Sequence, residues 1–269
     1  MYVKNIYLNK KRHYQKKRQE ARSDFFRLAG KTLTALVGMA IVVSLFWITR
    51  NFVLVTPYFN VKNIVVSGNN IVPKEDIIKL TGIEFGQNIF KLNLIKIQYR
   101  IKESPLFDKV HVKRCLPDKI EVHVEEREAS AILNMKVDFY LVSGDGIIFQ
   151  KLSSVIYKNL PIITGVELKS VILGDDTNSF SLKTGLKIVK DIKSVQPEFL
   201  DCISEINVSC SDEIIIYTDS GTKLKIDKDT EKSKWFYVNK AISAANADKI
   251  SIEYVDMRYN KQIVLKRKT

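Results

Sequence analysis

The 269-residue sequence has few of the residues on which enzyme chemistry usually depends, with only three histidines and three cysteines. It contains no Gly-x-Ser-x-Gly nucleophile motif, no glycine-rich phosphate-binding loop and no His-Glu-x-x-His metal motif. The adjacent carboxylates of Asp175 and Asp176 lie in a turn-like Gly-Asp-Asp-Thr segment, which is typical of a solvated loop. These absences argue against an enzyme, and they predict a protein without a cofactor or a small-molecule substrate.

The cysteines and histidines form no recognisable site. The odd number of cysteines gives no disulfide framework. Cys202 and Cys210 are the possible pair, but the strand-like stretch between them would hold their sulfur atoms apart. Buried free thiols, including Cys115, are therefore the favoured interpretation. His111 and His123 are expected to face each other across a hairpin, yet two imidazoles without a third ligand make a weak metal site, and none is predicted.

Long hydrophobic runs are also scarce. A single uncharged stretch, from Thr32 to Thr49, is long enough to cross a membrane. The stretch is rich in Leu, Ile, Val and Phe, and it extends to Val55 if the Arg50 side chain reaches towards the lipid headgroups. It lacks a small-x-small cleavage site. An uncleaved anchor over residues 32–55 is therefore predicted in preference to a cleaved signal peptide or a buried soluble helix.

Acidic residues are rare in residues 1–31, where many lysines and arginines face only Glu20 and Asp24. By the positive-inside rule this basic tail stays in the cytoplasm, and the bulk of the chain lies on the other side of the membrane. More than half of the net charge of +13 belongs to the tail. Attraction to anionic membrane lipid explains that charge better than nucleic-acid binding does, so no nucleic-acid partner is predicted.

Residues 58–127 predict a small domain with the element order β-α-α-β-β. A strand-like run from Phe59 to Ser67 ends in the turn-forming Gly-Asn-Asn. A short helix is expected to start after Pro73 and to end at Gly82, which suits a helix C-cap. Asn93 is expected to cap a second helix, because its side chain can accept a hydrogen bond from a backbone N–H of the first turn.

Two alternating segments close this small domain as a predicted hairpin around Leu-Pro-Asp-Lys. They run from Lys109 to Arg114 and from Ile120 to Glu126. Pairing their apolar residues on one face places Lys109 opposite Glu125, and Lys113 opposite Glu121, on the solvated face. The hairpin is therefore expected to carry two cross-strand ion pairs.

Residues 128–269 predict a mixed α/β domain dominated by an antiparallel sheet, so the part beyond the membrane helix belongs to the α+β class. Short strands alternate with turn signals, including a Gly-Asp-Gly turn at residues 144–146 and an Asp-Ser-Gly turn at residues 219–221. Helices are expected from about Ser181 to Val195, and from Asp229 or Thr230 to about Asn246.

The end of the chain predicts a hairpin with an open edge. Its two strands are expected at Ile250 to Tyr259 and at Gln262 to Lys266, with a turn between them. The second of these strands has no later segment to cover it. It is therefore expected to be a sheet edge that can accept a partner strand.

Specific motifs in both domains carry a resemblance to a known family. An N-in anchor precedes Val-Ser-Gly-Asn-Asn, the hairpin segment reads PLFDKVHVKRCLPDKIEVHVEERE, and the second domain contains NLPIITG and YVDMRY. The chain thereby resembles the FtsQ/DivIB bacterial cell-division proteins, whose first domain beyond the membrane is of the POTRA type. Ala129 stands where that family has a second proline. The motif residues in the small domain are Gly68, Pro105, Arg114, Pro117, Glu126 and Arg127.

The resemblance implies a division scaffold without enzymatic activity. Such a protein is a single-pass inner-membrane protein at the division septum, with a cytoplasmic N-terminus and a periplasmic bulk, and it links early and late division proteins. It binds the coiled-coil division proteins FtsB and FtsL through its C-terminal region, while the POTRA domain helps to recruit it to the division site. The resemblance assigns partner binding to Arg258, Tyr259, Gln262, Val264 and Lys266.

Two alternatives stay open from the sequence. Arg258 and Tyr259 also suit a buried salt bridge and core packing at a strand end. The alternative function is a POTRA-containing envelope transport or assembly factor, although such proteins carry cleaved signals and a membrane barrel, against which the anchor argues. For the edge strand, Val264→Pro is expected to remove an edge donor and to abolish partner binding.

Overall fold

The structure is a computed structural model, and it describes residues 30–153, 159–168, 170–210, 213–248, 250–259 and 262–268. Nearly all of the predicted cytoplasmic tail, residues 1–29, lies outside the described residues. The described chain forms two compact units. One contains residues 30–63, 84–92 and 115–119, and the other contains residues 64–83, 93–114 and the described residues from 120 onwards.

The first unit begins with one long apolar helix, α1, from Gly30 to Val55. Its 26 residues include a window with a mean hydropathy of 2.1, and none of that window is buried by protein. At about 1.5 Å per residue, a helix of this length suffices to cross a hydrocarbon layer of about 30 Å. The single apolar helix that the sequence predicted near the N-terminus is therefore confirmed.

A short 3-10 helix, Pro57–Phe59, follows α1 and delays the first strand. The amide of Phe59 donates to the carbonyl of Thr56, and that of Asn60 donates to the carbonyl of Pro57. Because these tight turns use the backbone of residues 56–60, strand β1 spans only Asn63–Ser67. The predicted start of this strand at Phe59 is therefore wrong by four residues.

Both helices of the small domain have the ends that local chemistry predicts. Helix α2 runs over Lys74–Thr81 and ends at Gly82, whose φ of 60° is left-handed and thus easily adopted by glycine. Helix α3 runs over Leu94–Lys102, and the side chain of Asn93 accepts a hydrogen bond from the amide of Lys96. The predicted caps at Gly82 and Asn93 are confirmed.

Strands β2, Phe107–Cys115, and β3, Lys119–Glu126, form the predicted hairpin. The strand order in this three-stranded sheet is β1-β3-β2, so β3 is central. Lys109 lies 2.7 Å from Glu125, and Lys113 lies 2.8 Å from Glu121, which confirms the predicted register. Buried apolar side chains from the sheet and both helices line its core: Val66, Ile77, Ile97, Ile101, Phe107, Val110, Ile120, Val122 and Val124.

A nine-stranded mixed sheet forms the C-terminal domain, in the order β12-β11-β10-β9-β8-β7-β4-β5-β6. The pairs β4–β7, β7–β8 and β10–β11 are parallel, and the other neighbouring pairs are antiparallel, which confirms the predicted α+β architecture. The strands are β4 Ala131–Met135, β5 Asp138–Val142, β6 Ile148–Leu152, β7 Ile162–Thr164, β8 Ile203–Asn207, β9 Ile214–Thr218, β10 Lys223–Ile226, β11 Ile252–Asp256 and β12 Val264–Arg267.

Three helices accompany this sheet: α4 Phe180–Val195, α5 Pro197–Leu200 and α6 Ser233–Ala247. The apolar stripe predicted on α4 is buried in the main core with the inner side chains of the sheet and with Trp235, Val238 and Ile242 of α6. Burial of one face of each helix against the sheet is what stabilises this layer.

Helix α6 begins at Ser233, three or four residues later than predicted, because a local turn occupies the expected start. The hydroxyl of Thr230 donates to the Asp227 carboxylate at 3.0 Å, and the amide of Asp229 donates to the same oxygen at 3.1 Å. Short polar side chains that bond to nearby groups compete with helix formation in this way.

Candidate functional site

The candidate site is strand β12, which lies at one edge of the nine-stranded sheet. It pairs with β11 in an antiparallel register, Val264 opposite Asp256 and Lys266 opposite Tyr254. In the part of the chain that the structure describes, no strand pairs with the other side of β12. All four of its residues are exposed. The predicted open edge at the end of the chain is therefore present among the described residues.

The direction of each backbone amide in β12 follows from one hydrogen bond just after β12 and one just after its neighbour β11, whose Asp256 lies opposite Val264. The amide of Lys268 donates to Ser251 at 2.8 Å, so it faces β11, and the amide of Met257 donates to Lys225, so it faces β10. Successive residues of a strand direct their amides to opposite sides. By this alternation, the amides of Lys266 and Val264 face β11, and those of Leu265 and Arg267 face the open edge.

This alternation corrects the expectation about Val264. A proline at that position would remove a donor that faces β11, inside the sheet, instead of a donor at the free edge. The residue whose amide faces outwards is Leu265. The sequence reasoning missed Leu265, although the period-two pattern of a strand would have identified it once the position of one amide was known.

The two faces of β12 differ in character. Leu265 lies opposite Val255, which is completely buried in the main core, yet Leu265 itself is 42% exposed. The neighbouring face is polar, since Lys266 lies 3.0 Å from Glu253 and its ammonium stands 5.5 Å from the ring of Tyr254. A partner strand would therefore contact the exposed apolar side chain of Leu265 on one face of the sheet and the charged side chains of Lys266 and Glu253 on the other.

Arg258 follows β11 and is held by two carboxylates. Its Nε and Nη2 donate to Asp256 at 3.0 and 2.7 Å, and its Nη1 lies 3.1 Å from Glu213. The hydrogen bonds from Arg258 lower the pKa of the Asp256 carboxyl, although burial opposes the shift, and the same pairing raises the pKa of Arg258. This geometry matches the salt-bridge alternative, while the side chain stays partly exposed.

Tyr259 and Gln262 lie on either side of residues 260 and 261, which are outside the described residues. Tyr259 is exposed, and its carbonyl accepts a hydrogen bond from the ammonium of Lys234 at 3.0 Å. Gln262 is also exposed. Tyr259 is thus no core residue, and the partner-binding role of these residues stays a prediction.

Two residues of the small-domain motif hold the loop between β1 and α2. Gly68 has a φ of +84°, and a Cβ atom at this position would stand 2.1 Å from the carbonyl oxygen of Val124. The carboxylate of Glu126 accepts hydrogen bonds of 2.9 to 3.1 Å from the amides of Asn70, Ile71 and Val72. These roles are structural, because they fix the backbone between the first strand and the first helix.

Arg127 connects the small domain with the β5–β6 turn of the C-terminal domain. Its Nε donates to the carbonyl of Pro105 at 3.1 Å, and its Nη1 donates to Asp145 at 3.1 Å and lies 3.6 Å from Asp108. The side chain is only 10% exposed. Burial acts to raise the pKa of Asp145, but the hydrogen bond from Ser143, the charge of Arg127 and hydrogen bonds from backbone amides together lower it.

The remaining motif residues, Arg114 and Pro117, lie in strand β2 and in the turn that follows it. Arg114 is exposed in β2, and Pro117 lies in the following turn after a cis peptide bond. No group of three or more His, Cys, Asp or Glu suitable for a metal occurs among the described residues. His123 lies 3.1 Å from the hydroxyl of Ser67.

The thiols of Cys115, Cys202 and Cys210 are free, but the prediction of burial is wrong for the last two. Cys202 and Cys210 are exposed, and Cys115 is partly exposed. Both exposed thiols lie just beyond the ends of β8, where the chain turns at the sheet boundary. Free cysteines are usually buried, but these positions beyond the ends of a strand leave both thiols exposed to solvent.

Two family models match this chain, one over each of the two domains. Residues 59–127 match the model described as "POTRA domain, FtsQ-type", and residues 131–258 match "Cell division protein FtsQ/DivIB, C-terminal". Together the two models cover well over half of the chain. They end before β12, so the candidate edge itself lies beyond the matched residues.

Curated relatives agree with the family models. The chain is 26% identical over 240 residues to cell division protein FtsQ of Syntrophotalea carbinolica, which covers 89% of this chain and 84% of that protein. It is 32% identical over 139 residues to cell division protein DivIB of Clostridium acetobutylicum, covering 52% of this chain and 55% of that protein.

A solved structure of the major extracytoplasmic domain of DivIB from Geobacillus stearothermophilus aligns with 46% of this chain and 97% of its own, at 14% identity and a TM-score of 0.32. The family assignment rests instead on the two domain models and the curated relatives. With the apolar helix α1, they indicate a membrane-anchored protein with a role in cell division and with no enzymatic activity. The chain therefore belongs to the FtsQ/DivIB family of cell division proteins.

Proposed function

We propose that the chain is a divisome scaffold whose open β12 edge binds FtsB/FtsL-like single-pass coiled-coil proteins and so links early and late division proteins at the septum. In this arrangement the basic tail is cytoplasmic, and both domains beyond α1 lie on the outer side of the membrane. A partner segment would add to β12 as a further strand. Main-chain hydrogen bonds supply affinity in this mode, and alternating side chains supply specificity.

The observation that carries the proposal is that, among the described residues, no strand covers the outer side of β12, which lies beside a buried core. Exposed edges of large sheets are normally protected because they attract other strands. Here Val255 of β11 is completely buried, while Leu265, which lies opposite it on the edge strand β12, is 42% exposed. A partner strand that covered Leu265 would extend the core by one strand, with a contribution of about 1 kcal/mol for the apolar surface removed from water.

Charge supports a partner of complementary sign. The exposed residues Lys266, Arg267 and Lys268 give the edge a basic character, and Lys266 is the one that pairs with Glu253 of β11. Basic side chains also protect an edge against uncontrolled pairing. A partner strand with acidic residues would satisfy both requirements, since its charges would favour pairing with this edge over pairing by an uncharged strand.

The decisive experiment replaces Leu265 with proline. Proline removes the outward N–H donor without removing a donor to β11, so the sheet is expected to remain folded. Loss of one hydrogen bond and steric exclusion of the partner strand should lower affinity at least about tenfold in a pull-down with a co-expressed FtsB/FtsL-like partner.

Leu265→Ala is the matched control, because it keeps the N–H group and removes only the side chain. It should weaken binding less than Leu265→Pro does. Circular dichroism should show the same fold for both variants. Undiminished binding by a folded Leu265→Pro protein would refute strand addition at this edge.

The proposed topology can be tested with the native thiols. Cys202 and Cys210 are both exposed, so a membrane-impermeant maleimide should label them from outside intact cells or spheroplasts. A variant in which Cys115, Cys202 and Cys210 are all replaced by serine should lose that label. Labelling that requires lysis would place these thiols in the cytoplasm and contradict the proposed orientation.

The proposed septal role has a cellular test. A fluorescent fusion should gather at midcell in dividing cells, and depletion of the protein should give filaments or failed division. Diffuse envelope fluorescence together with normal division would contradict the scaffold role and favour an envelope transport or assembly factor.

A further inference from the structure

The end of the membrane helix is capped by a side chain from a distant loop. The Nδ2 group of Asn88 donates a 2.9 Å hydrogen bond to the carbonyl of Val53. Carbonyls in the last turn of a helix lack partners within the helix. The amide of Thr56 satisfies the carbonyl of Phe52 at 3.0 Å, and Asn88 satisfies the next one. The segment Glu84–Leu92 is thereby tied to the end of α1.

Backbone hydrogen bonds hold this segment against the chain that leaves the helix. The amide of Ile89 donates to Phe59 at 2.8 Å, and the amide of Val61 donates to Gln87 at 2.9 Å. The side-chain oxygen of Asn88 accepts from the amide of Phe90 at 3.0 Å. Asn88 is 6% exposed and Ile89 is fully buried, so the segment has no freedom to swing away from α1 without breaking these bonds.

The depth of this link in a membrane follows from helix geometry. A hydrocarbon layer of about 30 Å takes about 20 helical residues, and counted from Thr32 this reaches the region of Asn51. Val53 lies two residues farther, about 3 Å beyond that boundary. Arg50 stands 5.5 Å from the ring of Trp47, a pair typical of the lipid headgroup region. For a span that begins at Thr32, Asn88 therefore bonds to the helix at headgroup level.

Aromatic side chains are exposed around the same link. Phe85 is 63% exposed, Tyr58 60% and Phe90 39%. The ring of Phe59 joins two of them, at 5.2 Å from Tyr58 and 5.3 Å from Phe90. Lys91 follows as an exposed cation. Aromatic rings with basic neighbours are favoured in the interface between hydrocarbon and water, where an apolar ring and a polar group are both satisfied.

We propose that Glu84–Leu92 and Tyr58 form a second membrane contact, in which Phe85, Phe90 and Tyr58 insert into the lipid headgroup layer at the C-terminal end of α1. The occupant of this aromatic surface is the same membrane that α1 crosses, because the Asn88–Val53 hydrogen bond makes the surface continuous with the helix. The contact fixes the orientation of the first unit at the membrane. It depends neither on partner binding at β12 nor on which side of the membrane the unit faces.

The test is a depth measurement on the full chain in proteoliposomes. Cys115, Cys202 and Cys210 are replaced by serine, and single nitroxide labels are placed at Phe85→Cys and Phe90→Cys. Power saturation by oxygen and by a water-soluble nickel chelate then gives the relative accessibility from lipid and from water. A label at Phe46→Cys, within the span, provides the lipid reference, and one at Val137→Cys, 86% exposed in the β4–β5 turn, provides the aqueous reference.

The oxygen-to-nickel accessibility ratio at both loop positions should be several-fold higher than at Val137, and lower than at Phe46. A ratio at Phe85 and Phe90 equal to that at Val137 would overturn the membrane contact. Both positions are exposed, so the labels are expected to leave the fold intact, and a label at Tyr58→Cys gives a third, independent reading.

Asn88→Asp tests the cause of the positioning. The carboxylate keeps the oxygen that accepts from the amide of Phe90, but it cannot donate to the carbonyl of Val53. In this variant the accessibility ratios at Phe85 and Phe90 should shift towards the aqueous value of Val137. Unchanged ratios would refute the role of the Asn88–Val53 bond in holding the segment at the membrane.

Discussion

Gly68→Ala should unfold the β1–β3 pairing locally, because the alanine Cβ has no space. The atom would stand 2.1 Å from the carbonyl oxygen of Val124, and the nearest atoms of His123 are at 3.0 and 3.2 Å. The histidine ring can rotate away, but the Val124 carbonyl belongs to the central strand of the sheet. Relief of the overlap therefore requires β1 to move away from β3.

The magnitude follows from two separate contributions. A non-glycine residue at positive φ costs about 1–2 kcal/mol, partly offset by about 0.4–1 kcal/mol because alanine restricts the unfolded chain. Movement of β1 by more than an ångström adds the loss of about two backbone hydrogen bonds, each worth about 1 kcal/mol. The total for Gly68→Ala is about 3 kcal/mol.

Gly221→Ala is the matched control, since Gly221 has a φ of +82° and no atom lies within 4 Å of the position that an added Cβ would occupy. This variant experiences only the backbone contribution, with a net cost of about 1 kcal/mol or less. The difference between the two variants isolates the steric overlap with Val124.

Hydrogen exchange followed by mass spectrometry on the full chain gives the local free energy of opening. Amides of β3 should exchange about 100-fold faster in Gly68→Ala, whereas amides of β9 and β10 should exchange no more than about fivefold faster in Gly221→Ala. If the effect on β3 is no larger than the effect of the control on its own strands, the steric argument is refuted.

Three further predictions concern charged side chains. Glu126→Gln keeps one acceptor but loses the charge that three amides of the β1–α2 loop share, so exchange at residues 70–72 should accelerate about tenfold; unchanged exchange would contradict that role. Arg127→Lys retains the charge but loses the Nε donor to the Pro105 carbonyl, and chemical denaturation should show a loss of about 2 kcal/mol, with no loss refuting the bridging geometry. Because the pKa of Asp256 is lowered in the folded state, the ionised carboxylate stabilises the fold fully above its ordinary pKa of about 4, and this stabilisation disappears as the pH falls through the lowered value. Asp256→Asn should abolish this part of the pH dependence of the free energy of unfolding. An unchanged dependence of that free energy on acid pH would refute the argument.

Local signals in the sequence predict the elements whose causes are themselves local. The cap at Asn93 depends on a side chain and an amide three residues away, and the end of α2 depends on the freedom of Gly82. The hairpin register, with Lys109 beside Glu125, depends on a short turn and on strict alternation. Such features involve few residues that are close in sequence, so the pattern alone identifies them.

The errors occur where a weaker pattern meets competing local chemistry. Thr230 has the chemistry of a helix start, but its hydroxyl bonds to Asp227 and forms a turn that delays α6. The apolar pattern predicts a strand from Phe59, but Pro57 begins a 3-10 helix. In each case a polar residue or a proline forms a local turn with residues at most three positions away. The periodicity of apolar residues does not predict such a turn.

The candidate site shows a different kind of gap. The sequence indicates an edge strand and points to Val264 and Lys266. Which backbone amides of that strand face β11, however, follows from the hydrogen bonds that the amides of Lys268 and Met257 donate to Ser251 and Lys225. A shift of one residue exchanges inner and outer amides. The outward position of Leu265 could therefore not be assigned from alternation alone.

By itself the sequence determined the long apolar helix, the order of most elements, the resemblance to the family and the absence of known catalytic motifs, because hydropathy, periodicity and motif spacing are properties of the chain. Only the tertiary structure decided which strands are neighbours, which amides of β12 face outwards, and that Asn88 reaches Val53. These features join residues distant in the sequence, and their energies depend on distances and directions that no local pattern contains. The sequence thus specified a helix long and apolar enough to span a membrane, while the fold decided which loop is tied to its end.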